Sequence, residues 1–568
     1  MSRLCKKHPS LCTSNPLTDE EVCRKLALLR RIFASCFGPS GRLKQIHNNV
    51  GGHVLTTSTS TVLLKALTLS HPMLKLLSAS VLNHVSRFSD CGLFTAILSS
   101  TLVENTKSLD IEPSLAIKVN RRLLDMCTSY LTKENCSCKV KVDFSSSHGL
   151  LVLAQSVITS KPACMLTRRE AQHICSRVVQ AFLRTVPCDT PGRVYLGKVV
   201  TVSVEGQPVE ESAVFPGLLV DMPENLCLAD VAKLGPGPFR VVVFNASLAG
   251  DLSETEEGAL EVDGSACPEA AVLEQLLRLG EQVVADKVEL FVCQRVVHPV
   301  LQQYLKRHGV IVVERLGISL LEPLLQVTGA QAVATFQAPV PVQSYGQVTG
   351  LVVRCCGMKE MLHLLPAGDS THCTLMLCHR NETMLNEFRV VCQRADHVLR
   401  LTLKEPYALL GGGCTETHLA AYLRHKSGSD VSGAVSDLGC SRTDYLLATD
   451  GFCRSLESVA RALEHDGRES LVDLSHGHRW AVPGDMEPKA TWKDVVGSCG
   501  CGLISPSQDL EWAPLSAGCP PFSPVKTVNI ATQPQVLDSF PAKRNALQVA
   551  VETANLILDL KYIIQDVN

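Results

Sequence analysis

Apolar positions fall on one helical face in three stretches near the ends of the chain. Val22, Leu26, Leu29, Ile32, Phe33 and Cys36 make the first. Thr18-Asp19-Glu20-Glu21 just ahead of it has capping-box spacing, with Thr18 placed to cap the helix and Glu21 to reach back. Met73, Leu76, Leu77, Val81, His84, Val85 and Phe88 make the second, opened by His71-Pro72, and His84 on that face reads as a packed residue rather than a ligand. Ala546, Val549, Ala550, Thr553, Ala554, Ile557 and Leu558 make the third, a stripe suited to a core.

The middle of the chain is patterned differently. Short β-rich runs at 241–244, 288–292 and 310–313 alternate with helical patterns over 273–284, 299–308 and 319–326. That alternation predicts a parallel sheet with crossover helices, inserted into a helical domain built from both chain ends. Segments 331–350, 426–441 and 483–524 are rich in Gly, Ser, Pro and Asp and read as linkers or surface insertions.

Composition narrows the function classes. Of 568 residues, 45% are hydrophobic and 19% charged, a globular balance, and the length allows several domains. A net charge of -2 argues against a phosphate-backbone partner, which needs a basic stripe. The first residues lack the apolar run of a signal peptide, so the 25 cysteines are expected to be reduced thiols. Cys136-Ser137-Cys138, Cys355-Cys356 and Cys499-Gly500-Cys501 do not form a pair of C-x2-C motifs, and they are expected to be buried small hydrophobes with no metal. His476-Gly477-His478 is expected in a surface loop, and Cys414 as a buried thiol without a paired base. No run reaches the roughly 18 apolar residues of a membrane helix.

Two glycine motifs carry candidate phosphate chemistry. One is Ser35-Cys36-Phe37-Gly38-Pro39-Ser40-Gly41-Arg42-Leu43-Lys44, and the other is Gly411-Gly412-Gly413-Cys414-Thr415-Glu416. Glycines let backbone N–H groups approach a phosphate closely. A third pattern, Gly192 with Gly197-Lys198, imitates P-loop spacing but ends in Val199 and has a β-prone interior, which favours a strand.

The two motifs resemble the halves of the equatorial nucleotide site of group II chaperonins, and further segments agree in order. Pro216-Gly217-Leu218-Leu219-Val220-Asp221 is similar to the apical GVVLDK motif. The run from Phe291-Val292-Cys293-Gln294 through Val312-Val313-Glu314-Arg315 to Thr328-Gly329 is similar to the family's sheet-helix segment, and 551–558 to its last equatorial helix. The resemblance implies an α/β multidomain group II chaperonin fold with a mostly helical equatorial domain, an intermediate domain and an inserted α/β apical domain. The expected division is equatorial 1–145, intermediate 146–212, apical and client-binding 213–355, intermediate 356–408, and equatorial 409–568 with insertions near 426–441 and 483–524. Segment 251–268 lies where the family carries its helical lid protrusion, and its Gly, Ser and Glu content disfavours a regular helix there.

The same resemblance assigns Gly38, Pro39, Gly41, Asp90, Gly92, Lys161, Gly411, Gly412 and Gly413 to a degenerate nucleotide site, with ATP and magnesium as its ligands and Asp90 as the candidate magnesium ligand. Departures from the family are concentrated in the hydrolytic groups. Thr56-Thr57-Ser58-Thr59-Ser60-Thr61 replaces TNDGAT, and Ser89-Asp90-Cys91-Gly92-Leu93 replaces GDGTT. Counted back from Gly411 without a gap, Arg394 occupies the position of the catalytic aspartate. A guanidinium stays protonated and cannot act as a base, and Asp396, about 200° around a helix from Arg394, faces elsewhere. Lys161 matches the family's phosphate-sensing lysine. Asp90 also suits a plain helix-capping role, and the glycines also suit turns in an inherited fold.

Those departures imply that the chain does not hydrolyse ATP, and the resemblance implies an assembly factor that binds unfolded or unassembled clients. Its clients would be subunits of the BBSome, for cilium biogenesis. Its partners would be other chaperonin-like proteins of the Bardet-Biedl group and subunits of the cytosolic ring chaperonin. It implies a cytoplasmic, centrosomal, pericentriolar and basal-body location, with the nucleus as a further compartment. An active ATP-dependent folding chaperone and a centrosomal scaffold are the alternatives.

Overall fold

A computed structural model describes residues 11–47, 54–187, 196–223, 226–250, 268–368, 370–482, 492, 496, 498–503, 510–515 and 535–565. The chain divides into two units, one of Met1–Cys175 with Val390–Asn568 and the other of Ser176–Arg389. The cuts fall inside 146–212 and 356–408, the segments expected to form the intermediate part.

In the first unit, the three amphipathic stretches are helices Glu20–Ala34, Pro72–Phe88 and Phe540–Asp559. Val22, Leu26, Leu29 and Phe33 are buried on the first, as their spacing requires. Its cap differs from expectation. Asp19 accepts from the Glu21 N–H at 2.8 Å, while the Thr18 hydroxyl turns back to the Asn15 carbonyl. The shorter carboxylate reaches the free N–H groups from one residue later, and Glu21 pairs instead with Lys25 at 2.6 Å. His71 caps the second helix, its Nδ1 accepting from the Met73 N–H.

These helices enclose Gly92–Ser108, which is buried on nearly every side and touches Glu20–Ala34, Pro72–Phe88, Arg442–Arg461 and Phe540–Asp559. Its buried hydroxyls are satisfied within the helix, with Thr95, Ser99, Ser100 and Thr101 each donating to the carbonyl four residues back. The chain ends also meet, with strand Leu11–Ser14 pairing antiparallel to Tyr562–Gln565.

In the second unit, Phe239–Phe244, Leu290–Cys293 and Ile311–Val313 pair in parallel, and helices Pro268–Ala285, Pro299–Arg307 and Ile318–Thr328 connect or follow them. Gly346–Cys356, Lys359–Pro366 and Leu218–Asp221 extend the sheet antiparallel to six strands. Both faces are covered, so the strands read as continuous apolar runs. Val241, Val243, Leu290 and Val292 face one core, and Val242, Phe244, Phe291 and Cys293 the other.

Three segments expected to be linkers are partly structured. Residues 426–441 contain the end of helix Cys414–Ser429 and helix Val431–Leu438, whose Val431 and Ala434 are buried. Residues 331–350 end in a strand beginning at Gly346. Within 483–524, strand Trp512–Pro514 pairs with Ser470–Asp473. Small and polar residues satisfied the loop pattern in each, but burial of a few apolar positions decides the outcome. Most of 251–268 lies outside the described residues.

Phe291 is fully buried and stacks on Phe244 with ring centroids 5.2 Å apart. Phe291→Ala is expected to destabilise the second unit by about 3–5 kcal/mol, seen as a lowered urea midpoint in its unfolding transition.

Candidate functional site

Strand Tyr407–Leu410 delivers the chain to Gly411-Gly412-Gly413, and helix Cys414–Ser429 leaves from it. Gly412 and Gly413 have φ of 64° and 84°, in the left-handed region that favours glycine. A Cβ on Gly412 would lie 2.1 Å from the Gly500 carbonyl oxygen, so glycine is also required by the close approach of a second backbone. Opposite stands the N-terminus of Gly92–Ser108, where a Cβ on Gly92 would lie 2.4 Å from the Ser60 hydroxyl. Both helix ends border one cleft of about 400 Å³ within the first unit. Such ends suit anions.

The sequence-predicted residues converge there in large part. Gly38, Pro39, Asp90, Gly92, Lys161, Gly412, Gly413 and Arg394 line the cleft. Gly41 and Gly411 are buried just behind it. Gly41 closes a turn on the Gly38 carbonyl at 3.1 Å, and Gly411 bonds to the Val536 carbonyl at 2.9 Å. Lys161 lies close enough to the Cys36 thiol to oppose the rise that burial gives its pKa. Gly192 lies outside the described residues. Gly197 and Lys198 are in the other unit and lead into strand Val199–Glu205, not a helix, and Lys198 pairs with Glu322 at 3.6 Å. The P-loop alternative thus lacks the helix N-terminus that would face a phosphate.

Arg394 sits on helix Glu382–Lys404, and its Nη2 donates to Thr61 Oγ1 at 2.7 Å. Asp396 is absent from the cleft lining and accepts from Arg400 Nε at 2.7 Å, with burial pushing its carboxyl pKa up. Four other acids reach the cleft, and cations hold them. Lys543 Nζ contacts Asp538 Oδ2 at 2.8 Å and Glu416 Oε1, Arg479 pairs with Glu464, and Arg468 lies 3.8 Å from Asp466. Burial opposes the charge on Lys543, but Asp538 and Glu416 outweigh it and hold its pKa well above the ordinary lysine value. Sequence reasoning missed Lys543, Asp538, Glu464 and Arg479. Their positions follow from strand Leu537–Ser539 pairing with Tyr407–Leu410 and from the hairpin preceding Ala481, neither signalled by a motif.

Asp90 is held by backbone geometry. Ser89 and Cys91 on either side have φ of 59° and 60°, a conformation costing a non-glycine residue roughly 1–2 kcal/mol. The Asp90 carbonyl receives His84 Nε2 at 2.9 Å, and His84 Nδ1 meets Asn545 Oδ1 at 2.9 Å. His84 is therefore a buried clamp on this turn, as its helical face suggests.

Residues 29–568 match the TCP-1/cpn60 chaperonin family. The chain belongs to that family. It is 48% identical over the full length of both chains to a human protein named molecular chaperone MKKS, and 48% identical to the mouse protein of that name. It is 24% identical to the thermosome alpha subunit of Saccharolobus solfataricus over 83% of this chain and 82% of that one. The two units are thus parts of a multidomain α/β chaperonin fold. Among the described residues of this chaperonin-family chain, no helix is long and apolar enough to cross a membrane.

Two outcomes follow from the cleft of this chaperonin-family protein. Gly412→Ala is expected to cost roughly 2–4 kcal/mol by denaturant unfolding, whereas Gly428→Ala, where a Cβ meets nothing within 4 Å, stabilises its helix by up to about 1 kcal/mol. Burial lowers the pKa of His84, so the fold favours its neutral form. That contribution is complete above the unfolded value of about 6.5 and is lost as pH falls below it through the lowered folded pKa. The urea midpoint should drop between neutral and mildly acidic pH, and His84→Gln should make the drop shallower.

Proposed function

We propose that this chain is a chaperonin-type holding and assembly factor whose cleft grips a nucleotide or other anion without hydrolysing it. The observation that carries this reading is Arg394, a permanent cation bordering the cleft, which cannot act as a base and which the motif count sets in the place of the catalytic aspartate. The neighbouring acids support it, since Glu416 and Asp538 are bound to Lys543 and Glu464 to Arg479. The glycine cradle and the two helix N-termini fit a phosphate. Asp90 is the residue that would hold magnesium, whose charge would screen the phosphates. The retained groups are suited to binding, and the missing ones are those of turnover.

Client holding belongs to the second unit in this reading. Ile318, Val342 and Met358 are exposed there, and a groove of about 750 Å³ combines Met222, Pro223, Leu226 and Leu234 with charged residues that include Asp230, Lys306, Arg307 and Arg315. Exposed apolar groups on a chaperonin-family chain suit unfolded or unassembled proteins. The clients we propose are BBSome subunits awaiting assembly for cilium biogenesis at the centrosome and basal body. The proposed partners are chaperonin-like chains of the Bardet-Biedl group and subunits of the cytosolic ring chaperonin.

Purified full-length protein is expected to bind ATP or ADP in the presence of magnesium and to show steady-state ATP turnover no higher than that of its Asp90→Ala variant. Lys161→Ala should weaken nucleotide binding by about tenfold, the equivalent of one lost charge-assisted contact. Substantial turnover that Asp90→Ala abolishes would favour an active folding ATPase and sink the proposal.

A further inference from the structure

Directly behind the glycine triplet, three thiols and an imidazole converge. Cys414 is the first residue of the helix that leaves the triplet. His478 stands at the turn of the hairpin formed by Ser470–Asp473 and Arg479–Ala481. Cys499 and Cys501 come from the segment expected to be a surface insertion, and Cys499 bridges to Trp480 beside that hairpin. The four residues are 0%, 1%, 3% and 0% exposed. Their ligand atoms all lie within 4.8 Å of one another, with Cys499 and Cys501 Sγ 3.1 Å apart and Cys501 Sγ 3.7 Å from His478 Nδ1. His478 Nε2 is buried with no hydrogen-bond partner among the described residues.

One expectation is overturned here: His478 is a core residue and not part of an exposed loop. Cys499 and Cys501 are buried as expected, and they gather with Cys414 around a buried imidazole. The spacing along the chain, 414, 478, 499 and 501, hid the set, which is assembled by tertiary structure.

We infer that Cys414, His478, Cys499 and Cys501 form a closed, structural zinc site. The geometry suits that ion. With Zn–S near 2.3 Å and Zn–N near 2.0 Å, a tetrahedral site of three sulfurs and one nitrogen has S···S edges of about 3.8 Å and S···N edges of about 3.5 Å, which small side-chain adjustments reach from the observed separations. The donor set is soft, and four protein ligands in a dry pocket leave no position for water, which marks a structural site. Binding replaces three S–H bonds with Zn–S bonds and releases three protons, the imidazole joining as the neutral base.

The site has a structural consequence. The Gly500 N–H donates to the Arg479 carbonyl at 2.7 Å, and a Cβ on Gly500 would lie 2.2 Å from the Gly412 carbonyl oxygen. The ion would hold the Cys499-Gly500-Cys501 loop against the triplet at the cleft. This inference does not depend on whether the cleft binds nucleotide.

Elemental analysis of the full-length protein, purified under reducing conditions without chelator, is expected to find one zinc per chain. Cobalt(II) added alone to chelated protein should give visible ligand-field bands and the near-ultraviolet thiolate charge-transfer band of a tetrahedral site. Cys499→Ser with Cys501→Ser should lose essentially all of the zinc. Cys136→Ser with Cys138→Ser, a buried thiol pair 3.4 Å apart outside the site, should keep it. Folded wild-type protein with neither zinc nor a cobalt spectrum overturns the assignment. So does zinc that survives the paired change at Cys499 and Cys501, or a Cys499–Cys501 disulfide found by mass spectrometry in the native protein.

Discussion

Two backbones can touch at Gly412 and Gly500 because neither residue carries a Cβ, and the cleft depends on that contact. An added carbon on either side would lie 2.1–2.2 Å from the other residue's carbonyl oxygen. The contact seats the Cys499–Cys501 loop under the triplet and so fixes the direction in which helix Cys414–Ser429 departs. On the opposite wall, Gly92 lets helix Gly92–Ser108 close onto Ser60. Both helices are buried on nearly all sides, so their positions are set by packing and their N-termini stay fixed. The cleft is preorganised by the core of the first unit.

Electrostatics then sets the chemical character of the cleft. A nucleotide-hydrolysing site needs carboxylates that can hold metal and order water. Here the acids nearest the triplet are tied to Lys543 and Arg479, and the Arg394 guanidinium borders the same cleft. These ion pairs are mostly buried, and removing one partner would strand a charge, so the neutralised state is resistant to single substitutions. The turn around Asp90 has left-handed backbone at Ser89 and Cys91, a conformation that glycine adopts more easily and that the surrounding packing must hold.

Legibility in the sequence followed periodicity. Helices with a single apolar face, such as Glu20–Ala34 and Phe540–Asp559, were readable because burial on one side leaves a 3.6-residue signal. The parallel strands were readable as apolar runs between helical patterns. Helices Gly92–Ser108 and Cys414–Ser429 carry no such signal, since neither has a solvent face except in its last turn or so. The two glycine motifs pointed to one cleft from nearly four hundred residues apart, yet the charges that define its chemistry did not announce themselves. Lys543 and Asp538 are placed by strand pairing, and Cys414, His478, Cys499 and Cys501 meet only in three dimensions. Segment 426–441 shows the converse error: glycines and serines resembled a loop, but Val431 and Ala434 found a core.

The ribbon formed by Leu11–Ser14 and Tyr562–Gln565 has a consequence for how the molecule is made. During synthesis, the first strand leaves the ribosome with one edge open and must wait for more than five hundred further residues before its mate exists. The same delay applies to helix Gly92–Ser108, one flank of which is covered by the last helix of the chain. Until Phe540–Asp559 and Tyr562–Gln565 have been made, the first unit exposes both a sheet edge and an apolar surface. The first unit therefore needs shelter until the residues that complete its ribbon and its helical core have emerged.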